Sequence, residues 1–204
     1  MSVPRRPFIK ICGMTTPVAV ETALACEVDA IGFVFAASVR RVTAQRASEL
    51  AAPARHKVAC VAVTRHPTRA EVEEILRDFR PDILQTDIED IDSLNLPRAL
   101  SVLPVMRPPV DAACVLPGRA LFEGPVSGSG QITDWQVAAE LARRCEVILA
   151  GGLNPLNVGI AVRHVRPFGV DVSSGVEDQP GIKSADKIEK FVTAARMAAL
   201  ELNT

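Results

Sequence analysis

Residues Val147–Glu177 read VILAGGLNPLNVGIAVRHVRPFGVDVSSGVE, and the architecture can be worked out from this stretch. Two apolar runs, 147–150 and 169–172, end in small residues that expose backbone: Gly151-Gly152 after the first, Ser173-Ser174-Gly175 after the second. Between them the spacing predicts one helix. Asn154 suits an N-cap, where its side chain can accept from an orphan N–H, and Pro155 suits the first helical position, which needs no donor. Val158, Ala161, Val162 and Val165 fall at i, i+3, i+4 and i+7, so one face is apolar. Strand, helix and strand with donor-rich loops at one end can cradle an anion. In eight-stranded βα barrels the loops after the last two strands often hold phosphate.

The same alternation runs back to the N-terminus. Apolar runs predict strands over 8–12, 30–35, 58–63, 83–85, 101–106 and 120–123. Thr16-Pro17 and Thr43 open helices, Thr68 with Glu71 forms a capping box, and Val72, Ile75, Leu76 and Phe79 give that helix its buried face. Only a brief helix fits within 88–100. Pro108, Pro109, Pro117 and Gly118 leave room for no more than a degenerate helix after strand five, and Ser127-Gly128-Ser129-Gly130 reads as a flexible loop. Thr133 and Gln136 make a second capping box, and Ser184 starts a last helix with Ile188, Phe191, Val192 and Ala195 inward. Eight strands alternating with helices imply parallel pairing and right-handed crossovers. The expectation is an α/β fold, a (β/α)₈ TIM barrel filling residues 1–204 as one domain, compact beside a typical barrel of ~200 residues or more. An open doubly wound sheet is the alternative, disfavoured because no GxGxxG follows the first strand.

Composition narrows the function. A net charge of −1 gives no electrostatic case for nucleic acid or a membrane surface. No apolar run approaches the ~20 residues of a spanning helix, and the first residues do not form a secretory signal. Five scattered cysteines (Cys12, Cys26, Cys60, Cys114, Cys145), with no CxxC pair, argue against a disulfide framework or zinc site and for reduced thiols in a cytoplasm.

In a barrel, chemistry gathers at the carboxyl ends of strands. Here those ends carry Cys12, Arg40, Asp87, Arg107, Asp134, Gly151-Gly152, Asp171 and Ser173-Ser174-Gly175, while histidine is nearly absent. Cys12 is a candidate base or nucleophile if a neighbouring charge favours its thiolate; a small buried apolar residue is the plain alternative. Asp134, just inside a helix start, is a candidate acid, although an acidic residue there also simply complements the helix dipole. Arg40 suits bidentate capture of a carboxylate or is a surface charge.

Lys10-Ile11-Cys12-Gly13-Met14-Thr15, Gly32-Phe33-Val34-Phe35, Ser38-Val39-Arg40, Gly128-Ser129-Gly130 with Asp134-Trp135, Ala150-Gly151-Gly152-Leu153-Asn154-Pro155 and Asp171-Val172-Ser173-Ser174-Gly175-Val176-Glu177 together resemble the phosphoribosylanthranilate isomerase family of tryptophan biosynthesis. The motifs run in family order over nearly the whole chain. The resemblance implies an Amadori rearrangement of N-(5′-phosphoribosyl)anthranilate to 1-(2-carboxyphenylamino)-1-deoxyribulose 5-phosphate, without cofactor or metal. It implies Cys12 as general base, Asp134 as general acid and Arg40 on the anthranilate carboxylate. Gly151, Gly152, Ser173, Ser174 and Gly175 would hold the phosphate, with Asp171 beside them contacting ligand. The expected partner is this phosphorylated sugar alone, the expected state a cytoplasmic monomer. The chain departs from the family at Leu84-Gln85-Thr86-Asp87, where Gln-Leu-His-Gly is usual, at Glu123 in place of aspartate, and at Thr133-Asp134-Trp135 for Phe-Asp-Trp. Two rivals are a histidine-pathway phosphoribosyl sugar isomerase, disfavoured by Cys12 where such enzymes place an aspartate, and a non-catalytic phosphate-binding barrel.

Overall fold

The computed structural model describes residues 6–110, 115–124 and 133–202. Eight strands close into a parallel barrel in chain order: β1 Phe8–Cys12, β2 Ala30–Val34, β3 Ala59–Val63, β4 Ile83–Asp87, β5 Ser101–Met106, β6 Arg119–Phe122, β7 Glu146–Leu149 and β8 Gly169–Val172. The seam closes where β8 pairs with β1, Lys10 opposite Asp171. Alternation sorts the side chains. Ile9 and Ile11 pack outward against the helices, as do Val170 and Val172 on β8, so Lys10, Cys12 and Asp171 face the barrel interior. Lower in the interior, Leu103, Val105, Leu121 and Ile148 pack with Phe8, Ile83 and Phe168. The polar residues therefore stand on an apolar floor.

The helices are α1 Pro17–Ala25, α2 Ala44–Ala51, α3 Arg69–Glu74, α4 Ile91–Leu94, α5 Trp135–Ala142, α6 Val158–Val165 and α7 Ala185–Glu201. Thr16 and Thr43 cap α1 and α2, and the Thr68–Glu71 capping box is formed at α3. Several details differ from the sequence reading. α3 widens into a π-turn over Ile75–Phe79, which ends at left-handed Arg80; the turn keeps Ile75 and Phe79 buried together. β4 runs on to Asp87, so Thr86 and Asp87 are buried strand residues. Asn154 does not cap α6. It shapes a preceding turn by accepting from Leu156 and Asn157 N–H, and the cap position falls to Asn157, which donates to the Gly152 carbonyl. The expected Thr133–Gln136 box is replaced by Asp134 as N-cap of α5. Thr133 is buried and donates instead to the Ala150 carbonyl at 2.7 Å.

Among the described residues no helix lies between β5 and β6, which fits the expected degenerate connection. The Ser127–Gly130 loop and Cys114 lie outside the described residues. A short hairpin, β9 Glu177–Gln179 with β10 Ile182–Lys183, follows β8 and was not anticipated. No helix among the described residues is long and apolar enough to cross a membrane.

Candidate active site at the carboxyl ends of the strands

Cys12 ends β1 and is 6% exposed, at the mouth of the barrel. Gly13 turns the chain away with φ +82, and the space above it is taken: a Cβ there would stand 2.7 Å from Arg40 Cδ and 3.1 Å from Ser173 Oγ. The strand-one turn thus touches both the loop after β2 and the loop after β8. On the next strand Gly32, paired with Cys12, makes room in the same way, since a Cβ there would stand 3.0 Å from Cys12 Sγ and 3.3 Å from Lys10 Cε.

Two charged groups below and beside Cys12 were missed in the sequence. Lys10 is fully buried, its Nζ donating to Asp171 Oδ1 at 2.8 Å. Burial by itself would lower the lysine pKa, but the Asp171 charge, followed by Cys12, raises it above the ordinary value. Burial pushes the Cys12 thiol up, and the Lys10 charge opposes that shift. Away from the mouth, Cys60 is pushed up to about 11 by burial, as expected of inert core filler. The signal for Lys10 was legible: a lysine two residues before Cys12 in an apolar strand must share its inward face.

Glu177 is the second missed group. Arg40 donates to it through Nε and Nη2, both at 2.7 Å, and Lys183 donates through Nζ at 2.7 Å. Burial would raise this carboxyl, yet the two cations bring it down to about 2. Lys183 also donates to the Ser173 carbonyl at 3.0 Å, tying the hairpin to the loop after β8. Glu177 takes the Nε–Nη2 edge of the Arg40 guanidinium, and the Nη1–Nη2 edge lies outside that pair.

Beyond β7 and β8, Gly151 and Gly152 both have positive φ, +87 and +66. Gly175 packs its α-carbon so closely on the Leu153 carbonyl that no side chain fits. The two loops therefore form one surface, with Ser173, Ser174 and Gly175 half-buried along it. Asp134 is exposed at the start of α5, and its Oδ1 accepts from Gln136 and Val137 N–H at 2.9 and 3.2 Å. Its link to this surface runs through Thr133 and Ala150.

Where the usual His-Gly is missing, Asp87 pairs with Arg107, which also pairs with Glu123. His66 belongs to this part of the rim: it contacts Asp90 at 3.1 Å and Asp87 at 3.5 Å. The ligand atoms of His66, Asp87 and Asp90 lie within 4.8 Å of one another, but Arg107 and Arg65 already balance the Asp87 charge. A cleft of about 870 Å³ lined by Arg6, Glu27, Asp29, His56 and Asp82 lies at the opposite, amino-terminal ends of the strands and contains none of these groups.

A closed parallel barrel whose buried charged residues, Lys10, Asp87, Asp171 and Lys183, gather towards one mouth defines a (β/α)₈-barrel enzyme. Residues 9–194 match the family described as N-(5′-phosphoribosyl)anthranilate (PRA) isomerase, and the chain belongs to that family of isomerases of tryptophan biosynthesis. The N-(5′-phosphoribosyl)anthranilate isomerase of Rhizobium etli is 37% identical, covering 95% of this chain and 96% of its own. That of Streptococcus pneumoniae is 41% identical over 90% of this chain and 93% of its own. The crystal structure of phosphoribosyl anthranilate isomerase from Thermus thermophilus superposes with a TM-score of 0.80 at 30% identity, covering 94% of this chain and 98% of that one. A solved phosphoribosyl anthranilate isomerase in complex with reduced 1-(o-carboxyphenylamino)-1-deoxyribulose 5-phosphate has a TM-score of 0.78 at 25% identity, covering 94% and 99%.

Proposed function

We propose that this chain isomerises N-(5′-phosphoribosyl)anthranilate to 1-(2-carboxyphenylamino)-1-deoxyribulose 5-phosphate, with Asp134 as general acid and Cys12 as general base. The observation that carries the reading is the meeting of Cys12, Arg40 and Ser173 around Gly13 at one barrel mouth. The fused surface of Gly151, Gly152, Ser173, Ser174 and Gly175 supports phosphate binding there, because hydroxyls and positive-φ backbone present donors to one anion. The Nη1–Nη2 edge of Arg40 takes the anthranilate carboxylate. Asp171 stands beneath the substrate with Lys10.

Asp134 gives its proton to the ribose ring oxygen, and the C1–O bond opens to an iminium. The Cys12 thiolate then removes the C2 proton, and the electrons of that C–H bond form the enolamine. Tautomerisation, with a proton added at C1 and one lost from the C2 hydroxyl, gives the ketose. Protons are only relocated, so the net reaction needs no electron acceptor. Scattered cysteines, none in a disulfide among the described residues, support a cytoplasmic setting, and monomer is the expected state, to be checked by sedimentation.

Loss of substrate fluorescence measures the reaction. Cys12→Ser and Asp134→Asn are each expected to lower kcat at least ~100-fold, the scale of general acid–base catalysis, without lowering the urea midpoint comparably. No turnover by the intact chain, or either variant remaining near full activity, overturns the assignment.

A further inference from the structure

We propose that Lys10 is a positioning residue for Cys12: held by Asp171, its ammonium supplies the positive charge against which the Cys12 thiol ionises. This rests on Cys12 being the base and goes beyond it, because it says what makes a buried thiol able to serve. Two residues of one strand share a face and stand about 7 Å apart at Cα. Lys10 and Cys12 do so here, and a Cβ on Gly32 would stand 3.0 Å from Cys12 Sγ and 3.3 Å from Lys10 Cε, so both side chains crowd the same point. Asp171, opposite Lys10 in the β1–β8 register, fixes the ammonium at 2.8 Å.

The charges facing Cys12 come from every side. Lys10 lies on its own strand, Asp171 on β8, Lys183 on β10 and Arg40 on the loop after β2, with Glu177 bound to the last two. Three cations and two carboxylates leave one positive charge over. A thiolate at Cys12 neutralises that excess. Burial is the largest influence on the thiol and pushes it up; Lys10 is the foremost of the groups that bring it back. A buried lysine–aspartate pair is a poor device for stability, since apolar residues of similar volume commonly serve as well or better. Its place beside a thiol gives it a use that packing does not.

During turnover the thiolate sulfur accepts the C2 proton and becomes S–H, while Lys10 keeps its own proton. The role is electrostatic, so its signature is the ionisation of Cys12 and not simply a lower rate. Thiolate absorbance near 240 nm is followed against pH in the full chain without substrate, and the same titration of Cys12→Ser is subtracted to remove the other cysteines. Lys10→Met should move the Cys12 ionisation upward by one pH unit or more, about ten-fold less thiolate at a given pH below the midpoint. The acidic limb of kcat/KM should move with it. Asp171→Asn removes the repelling carboxylate but keeps an amide oxygen that can accept from the ammonium, and the Cys12 thiolate then becomes the counter-ion of Lys10, so the ionisation should move downward.

Opposite displacements support the inference, since general loosening of the mouth would move both variants the same way. A Lys10→Met thiol that ionises at the wild-type pH overturns it. If Lys10→Met does not fold, Asp171→Asn decides: an unchanged or raised ionisation overturns the inference. Because the titration uses no substrate, failure of the enzyme to turn over phosphoribosylanthranilate strikes only the assigned reaction. An unshifted thiol strikes only the role of Lys10.

Discussion

Glu177→Gln should uncouple the stability of this protein from acid over a defined pH range. The carboxylate is 5% exposed and holds two cations, Arg40 in bidentate fashion and Lys183. Its pKa falls from 4.5 to about 2 on folding, which corresponds to roughly 3 kcal/mol, or about 2 kcal/mol after solvent screening at the rim. A depressed carboxyl stabilises the fold fully above its unfolded value. The contribution is then lost as pH falls from 4.5 through about 2. Urea unfolding followed by circular dichroism at pH 7, 3 and 2 measures it. The variant should be ~2 kcal/mol less stable than wild type at pH 7. More than half of that difference should be gone by pH 3, and nearly all by pH 2. A difference that stays constant between pH 7 and pH 2 refutes the reasoning, because a neutral packing defect has no proton linkage. A difference near zero at pH 7 refutes it equally, by making the cluster an exposed ion pair of negligible weight.

Two further substitutions test the close contacts that shape the mouth. Gly175→Ala drives a Cβ into the Leu153 carbonyl, and separating the two loops should cost ~1–3 kcal/mol in urea denaturation while raising KM for the phosphorylated substrate more than it lowers kcat; an unchanged KM counts against the fused anion surface. Gly32→Ala sets a Cβ 3.0 Å from Cys12 Sγ and 3.3 Å from Lys10 Cε, so kcat should fall at least ten-fold with little change in KM, and wild-type kcat in this variant would show that the thiol has room to spare.

The barrel was legible because most of its strands are short apolar runs followed by small residues, as at Gly13, Gly151 and Ser173. Helix starts were legible where one residue type fits the geometry, as at Thr16, Thr43 and Thr68. The cap position of α6 fell to Asn157, three residues past the expected Asn154, because the same residue type stands at both places, and the Thr133–Gln136 pattern concealed an aspartate that caps as well as threonine does. Local pattern also cannot foresee partners far apart in the chain. Arg40 and Glu177 are 137 residues apart, and only the closing of the barrel brings them together. Strand four looked short because Thr86 and Asp87 are polar, yet Asp87 keeps its strand position by pairing with Arg107. Lys10 was in plain view on β1 and needed only the strand's two-residue period to be placed.

The Lys10–Asp171 pair spans 161 residues, joining the first strand of the barrel to the last. A ribosome delivers Lys10 early and Asp171 near the end of synthesis, so the lysine has no carboxylate to receive it while seven strands are being made. Until then, closing the interior over β1 would enclose a lone ammonium, which costs several kcal/mol. Closure on that side becomes favourable only once β8 supplies Asp171. Closing of the barrel and pairing of its buried lysine therefore coincide, and a chain that stops before β8 achieves neither.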